Sequence, residues 1–174
     1  MYHFFAFILV LVTITSTARG DAPSKDAVKK LVVKMGEAFM EDDHEYILDH
    51  SHLLVTELLG GRKKALAFLQ KTTEDLKAKE LTFSKYDVGD PGDFLKAGGT
   101  TYVVVPTTLE LTFPKGKIIN KTYLLGFSTD DGKTWKFLDG AGLESKKDRE
   151  KHLPDLPAEL ALPKLTKPKI IEDK

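Results

Sequence analysis

The apolar residues change their spacing near residue 80, and that change limits most what this chain can build. Before it, they recur with the period of a helix. Val28, Leu31, Val32, Met35 and Phe39 fall at i, i+3, i+4, i+7 and i+11, one face of a helix over residues 24–40. Asp42 opens a second, short helix with Glu45 three residues on as its capping-box partner, and Ile47 and Leu48 give it an apolar side. A third apolar patch, Leu53, Leu54, Val55, Leu58 and Leu59, ends at Gly60-Gly61. Residues 62–79 form a longer helix using Leu66, Leu69, Thr73 and Leu76.

After residue 80 the period becomes that of strands. Residues 81–88 are rich in β formers, and residues 87–93 are dense in turn residues. Residues 100–113 read as one long strand. Pro106 cannot donate to a ladder and marks a bulge or an edge. Beyond it, Leu109, Leu111 and Phe113 alternate with Thr108, Glu110 and Thr112, so one face is buried and one is polar. The next strand, residues 117–127, carries Tyr123, Leu125 and Phe127 on one face. In the last, residues 135–139, Trp135 and Phe137 share a face. Helices first and hairpin-linked strands second predict an α+β fold: N-terminal helices packed on a curved antiparallel sheet of about four strands, with the helices covering its one apolar face.

Composition narrows the function classes. The chain has 174 residues, enough for one core, and its 26 basic and 26 acidic residues balance. That balance argues against a nucleic-acid partner, which calls for a basic excess on one face. There is no cysteine, so neither disulfides nor thiolate chemistry is available. Residues 1–20 read as a secretory signal peptide. An apolar run over residues 4–14 leads to Ala18-Arg19-Gly20, with small residues at the −3 and −1 positions of a cut before Asp21. The run is shorter than the roughly 20 residues a membrane span needs. The protein is therefore expected to be exported, periplasmic or secreted, with no membrane association after the signal is removed. An uncleaved N-terminal membrane anchor is the alternative. Asn120-Lys121-Thr122 matches a glycosylation sequon.

The sharpest local motif is Ser128-Thr-Asp-Asp-Gly-Lys-Thr-Trp135. It resembles the Asp box of sialidases and other β-propeller proteins. Propellers repeat that box from blade to blade, whereas here it occurs once, so a glycosidase is not expected. Ser128, Asp130, Gly132 and Trp135 are predicted to build a structural turn: an Asp side chain bonds backbone N–H groups just ahead of it, and Gly takes positive φ without penalty.

Three segments are expected: the signal over residues 1–20, a cone-shaped α+β domain over residues 21–142, and residues 143–174. In the last, Ser145 and Asp148 cap a short charged helix. Leu153-Pro, Leu156-Pro and Leu162-Pro then predict extended chain, a Pro-rich strap whose leucines pack on the body, or a partner-docking segment. Residues 164–174 are expected to fray.

Ala38 to Asp43 closing the first helix, Gly60-Gly61-Arg62 leading into Ala65, Leu66, Phe68 and Leu69, and the late strand pair ending Thr134 to Asp139 follow a familiar order. In that order the chain, over roughly residues 24–140, resembles the nuclear-transport-factor-two-like (ketosteroid-isomerase/SnoaL-like) superfamily. The resemblance implies three helices and a curved sheet enclosing a cone with a pocket. The superfamily includes isomerases, dehydratases and cyclases alongside non-catalytic binding and dimerisation modules, so it does not choose a function. It also implies Asp42 or Asp43 near the cone mouth as an acid–base group, with Tyr46, Tyr102 or Tyr123 donating to an oxyanion. No strand, however, places a polar residue clearly on its apolar face.

The segment over residues 42–52 gathers His44, His50 and His52 with four carboxylates, side chains that zinc accepts. His44 and His50 are six apart, on different helix faces, and no pair stands at i, i+4, so no metal is expected. Asp87, Asp90 and Asp93 do not match the spacing of a calcium loop. No cofactor is expected. The reading is an exported, non-catalytic binding module for a small apolar ligand in the cone or for a protein partner, and a homodimer through the outer sheet face is compatible with it. The alternative is a lyase or isomerase with an Asp/Tyr acid–base site.

Overall fold

The computed structural model describes residues 23–173, and the expected signal peptide lies outside the described residues. Among the described residues four helices come first: α1 (Lys25–Met40), α2 (His44–His50), α3 (Leu53–Leu58) and α4 (Arg62–Ala78). Strands follow: β1 (Thr82–Val88), β2 (Leu95–Ala97), β3 (Thr100–Phe113), β4 (Gly116–Ser128) and β5 (Lys136–Asp139). A 3₁₀ turn (Gly140–Leu143), helix α5 (Lys146–His152) and strand β6 (Lys169–Glu172) complete the chain. The fold is α+β, with helices against an antiparallel sheet.

That sheet has six strands, where about four were expected. β3 and β4 form its centre. β1 and β2 share the outer edge of β3, and β5 and β6 share the outer edge of β4. Pro106 lies inside the central strand β3, opposite Tyr123. It is tolerated because β1 pairs only as far as Thr107 and β2 begins only at Tyr102, so no strand needs a donor there. The Pro106 carbonyl still accepts the Gly89 N–H at 2.8 Å.

α1 supplies the inner layer. Ser24 caps it, accepting the Ala27 N–H at 3.3 Å. Val28, Val32 and Met35 meet Val103, Val105, Leu124, Trp135 and Phe137 in one buried cluster. Gly36 lets the Tyr86 ring lie directly on the helix: a Cβ there would stand 2.2 Å from Tyr86 Cδ1. α4 packs on α2 and α3 and fully buries only Ala65.

The sheet has two apolar faces where one was expected. Opposite the helices, Tyr102, Tyr123, Leu125, Phe127, Leu138 and Leu143 form a second cluster. Leu153, Leu156, Leu160, Leu162 and Leu165 pack against it. Both strand parities of β4 are therefore committed to packing.

The expectation that residues 164–174 fray is corrected over residues 169–173. Lys169–Glu172 pairs with Gly116–Ile119 as β6, and Asp173 N–H donates to the Lys115 carbonyl at 2.9 Å. Gly116, at φ 149°, makes the close approach possible, since a Cβ there would stand 2.0 Å from the Ile171 carbonyl oxygen.

The Asp130 carboxylate organises the turn between β4 and β5. It accepts from the Ser128 hydroxyl (2.8 Å), the Lys133 and Thr134 N–H groups (3.1 and 2.9 Å) and the Thr134 hydroxyl (2.7 Å). The Thr134 side chain and N–H, ahead of the other donors, hold its pKa down at about 2. Gly132 takes φ 88° and donates to the Ser128 hydroxyl at 2.8 Å. Trp135 donates its indole N–H to the Gly132 carbonyl at 3.0 Å and buries its ring in the inner cluster.

Candidate functional site

Strand register decides which side chains look toward the helices. Val103 and Val105 face inward from β3, so Thr107 and Leu109 do as well. Their partners on β4 are Gly126, Leu124, Thr122 and Asn120. Leu124 in turn pairs with Asp139 of β5, and Gly126 with Phe137. Tyr86 of β1 stands opposite Leu109. Between this inner face and helices α1 to α3 lies a cavity of about 240 Å³. Met35, Phe39, Ile47, Val55, Leu109, Leu124 and Phe137 give it apolar walls. Ser51, Tyr86, Asn120, Thr122 and Asp139 supply polar groups.

Those polar groups differ in what they have left to offer. Ser51 donates its hydroxyl to the Ile47 carbonyl at 2.8 Å. Asp139 caps the 3₁₀ turn: its Oδ1 accepts the Ala141 N–H at 2.7 Å and the Thr122 hydroxyl at 3.4 Å. Among the described residues its Oδ2 has no hydrogen-bond partner, and neither do the Asn120 amide or the Tyr86 hydroxyl. Burial raises the Asp139 pKa, against the pull of the Ala141 N–H and the Thr122 hydroxyl. The residue is nonetheless exposed to solvent, so the desolvation is partial. Burial also pushes the Tyr86 phenol up to about 12; the Thr107 hydroxyl opposes this and the Asp139 charge adds to it. That Thr107 hydroxyl is buried near the phenol but makes no hydrogen bond of acceptable geometry.

The residues expected from the sequence to carry chemistry are not brought together. Asp43 caps α2, accepting the Tyr46 N–H at 3.0 Å, and Asp42 pairs with Lys77. Tyr46 packs beside the inner cluster and stacks on His50, with ring centroids 4.1 Å apart. Burial, then the Glu37 and Asp43 charges, raise its pKa. Tyr102 and Tyr123 lie in the outer cluster, across the sheet from the cavity. Burial raises the Tyr123 phenol; Arg149 opposes, and Asp139 and Glu144 add to the rise. The three histidines have separate local roles. The His44 Nδ1 is buried without a partner, the His50 Nδ1 sits 2.9 Å from the Tyr46 carbonyl, and the His52 Nδ1 accepts the Leu54 N–H at 3.2 Å. No group of three His, Cys, Asp or Glu able to hold a metal occurs among the described residues. Asp87, Asp90 and Asp93 each pair with a lysine.

The expectation that no strand puts a polar residue on its apolar face is corrected by Asn120, Thr122 and Asp139. A signal was present. Trp135 and Phe137 share a face by alternation, and one more step of two residues reaches Asp139. Asn120, the sequon residue, is half-buried in mid-strand and lines the cavity.

A second concavity, of about 250 Å³, lies on the other side of the sheet between His52, Tyr102, Phe127 and the start of the extended segment. The His52 ring packs on Phe127 with centroids 4.4 Å apart. Burial lowers the His52 pKa, with Glu57 opposing. As pH falls below 6.5 the unfolded chain takes up this proton before the folded one does, so stability is lost on acidification through that window. His52→Asn keeps an N-cap acceptor. Its melting temperature is expected to fall less than that of the unaltered protein between about pH 7 and about pH 5. Parallel curves would show that His52 does not titrate with folding.

Among the described residues no helix is long and apolar enough to cross a membrane. Comparison with protein-family models, with curated proteins and with solved structures finds no match to this chain.

Proposed function

We propose that this protein is a binding module that takes a small, mainly apolar molecule into the cavity between its helices and its sheet. One observation carries the reading: apolar walls enclose about 240 Å³ and converge on a few polar groups that lack protein partners. Tyr86, Asn120 and the outer oxygen of Asp139 can orient a ligand that the walls hold by its apolar body. In this reading the helices and curved sheet form a cone and residues 153–165 strap its outer face. The order of elements supports membership in the nuclear-transport-factor-two-like superfamily. The apolar run over residues 4–14 and the small residues before Asp21 support export.

The test is native mass spectrometry of residues 21–174 made in an exporting host. A non-covalent adduct that is lost on denaturation is expected. A bare mass that stays bare after incubation with small aromatic and alkyl ligands would refute the reading.

A second reading is favoured by one pair of groups. A carboxyl held up by burial and a phenol share the cavity, which suits acid–base chemistry of the lyase or isomerase kind, on Asp139 and Tyr86. Such a protein would exchange the α-protons of a small ketone in D₂O, and Asp139→Asn would not. Absence of exchange leaves binding alone.

A further inference from the structure

The geometry points to a ligand class for this cavity: a small primary amine on an apolar body, its ammonium seated on Asp139 Oδ2 and its body among Phe39, Leu124 and Phe137. The inference rests on the binding reading above and adds a charge to it.

Asp139 is the only charged side chain among the residues lining the cavity. Its Oδ1 is occupied by the Ala141 N–H and the Thr122 hydroxyl, and its Oδ2 is left open. Among the described residues no lysine or arginine lines the cavity or forms an ion pair with Asp139. Asp139 is solvent-exposed and has no protein counter-ion among the described residues, so a ligand cation can pair with its open oxygen. The neighbours agree with a cation. The Asn120 carbonyl can accept a second ammonium proton, and the faces of Phe39, Tyr86 and Phe137 favour positive over negative charge. A ligand carboxylate would instead meet like charge with no donor cluster to offset it. A neutral alcohol could bond to Oδ2 but would leave the charge uncompensated.

The test is isothermal titration of the full folded chain with matched probes: 2-phenylethylamine against 2-phenylethanol, and n-hexylamine against n-hexanol. Each amine is expected to bind at least about tenfold tighter than its alcohol, the scale of a hydrogen bond to a charged group. Asp139→Asn is expected to bring the ratio of the two affinities to about one. Alcohols binding as tightly as amines would overturn the charge selection and leave the cavity reading intact. No binding of any probe would overturn both. An amine preference that survives in Asp139→Asn would place the cation elsewhere and overturn the assignment. Because Asp139 also caps the 3₁₀ turn, that variant could fail to fold. In that case acidification of the unaltered protein decides: the amine preference should vanish as the carboxylate is protonated while the probe amines stay charged, and a preference that persists would overturn the assignment.

Discussion

Phe137→Ala is expected to destabilise the protein by about 3–5 kcal/mol, the range for removing a buried phenylalanine. Phe137 is 2% exposed and joins three parts of the molecule. Its ring belongs to the cluster between α1 and the sheet, and it also walls the cavity. Its carbonyl accepts the His52 N–H at 2.8 Å, tying the start of α3 to β5. The hole left by truncation would open into an existing cavity, so the surroundings have little to collapse onto. Against the 5–15 kcal/mol that holds a typical domain, this is a large fraction. A fall in melting temperature of about 10 °C should accompany it. Denaturant titration checks the result: the midpoint should drop with the slope unchanged. A loss under about 1 kcal/mol would mean that the ring is not packed as described.

Removing residues 153–174 is expected to have an effect of similar size. Five half-buried leucines of this segment cover Tyr102, Tyr123, Leu125, Phe127, Leu138 and Leu143. At about 1 kcal/mol apiece for partial burial they contribute about 5 kcal/mol, part of which is offset by the chain entropy regained when the segment is gone. The shortened chain would also lose β6 and expose an apolar sheet face, the kind of surface that drives association. Its melting temperature should fall by about 10 °C, and it should bind more of a hydrophobic dye than the full chain does. If both measurements match the full chain, the segment is an appendage and the outer face is stable without it.

These two variants probe the places where sequence reading went furthest astray. Apolar alternation in β4 was read on one parity only, Tyr123, Leu125 and Phe127. The other parity carries Leu124 and Gly126 along with Asn120 and Thr122, and it faces the helices. A strand buried on both sides lacks the contrast between polar and apolar positions on which alternation depends. The leucines of residues 153–165 were seen, but their irregular spacing among prolines has no period that would name the surface they cover. β6 was missed because Lys169 to Glu172 is short and charged at both ends; its pairing depends on the bare Cα of Gly116, about fifty residues away in sequence.

The candidate site was legible only in pieces. His44, His50 and His52 drew attention because titratable residues crowd one short segment, and Asp42 and Asp43 because the superfamily resemblance implies them. The structure uses Asp43 and His52 there to cap short helices, the ordinary work of such residues at helix ends. Asp139 drew none, since a lone carboxylate at a strand end reads as solvent-facing.

What the sequence determined by itself was everything carried by local periodicity and local chemistry. The helix and strand order, the long strand β3, the caps at Ser24 and Ser145, and the turn built on Asp130 all follow from side chains acting within a few residues of themselves. Tertiary structure alone decided the double-faced sheet, the return of β6, and the convergence of Tyr86, Asn120, Thr122 and Asp139 on one cavity. Those residues stand up to about fifty positions apart and share no spacing. They meet because antiparallel register carries a choice of face from strand to strand, and register is set by the packing of the whole sheet.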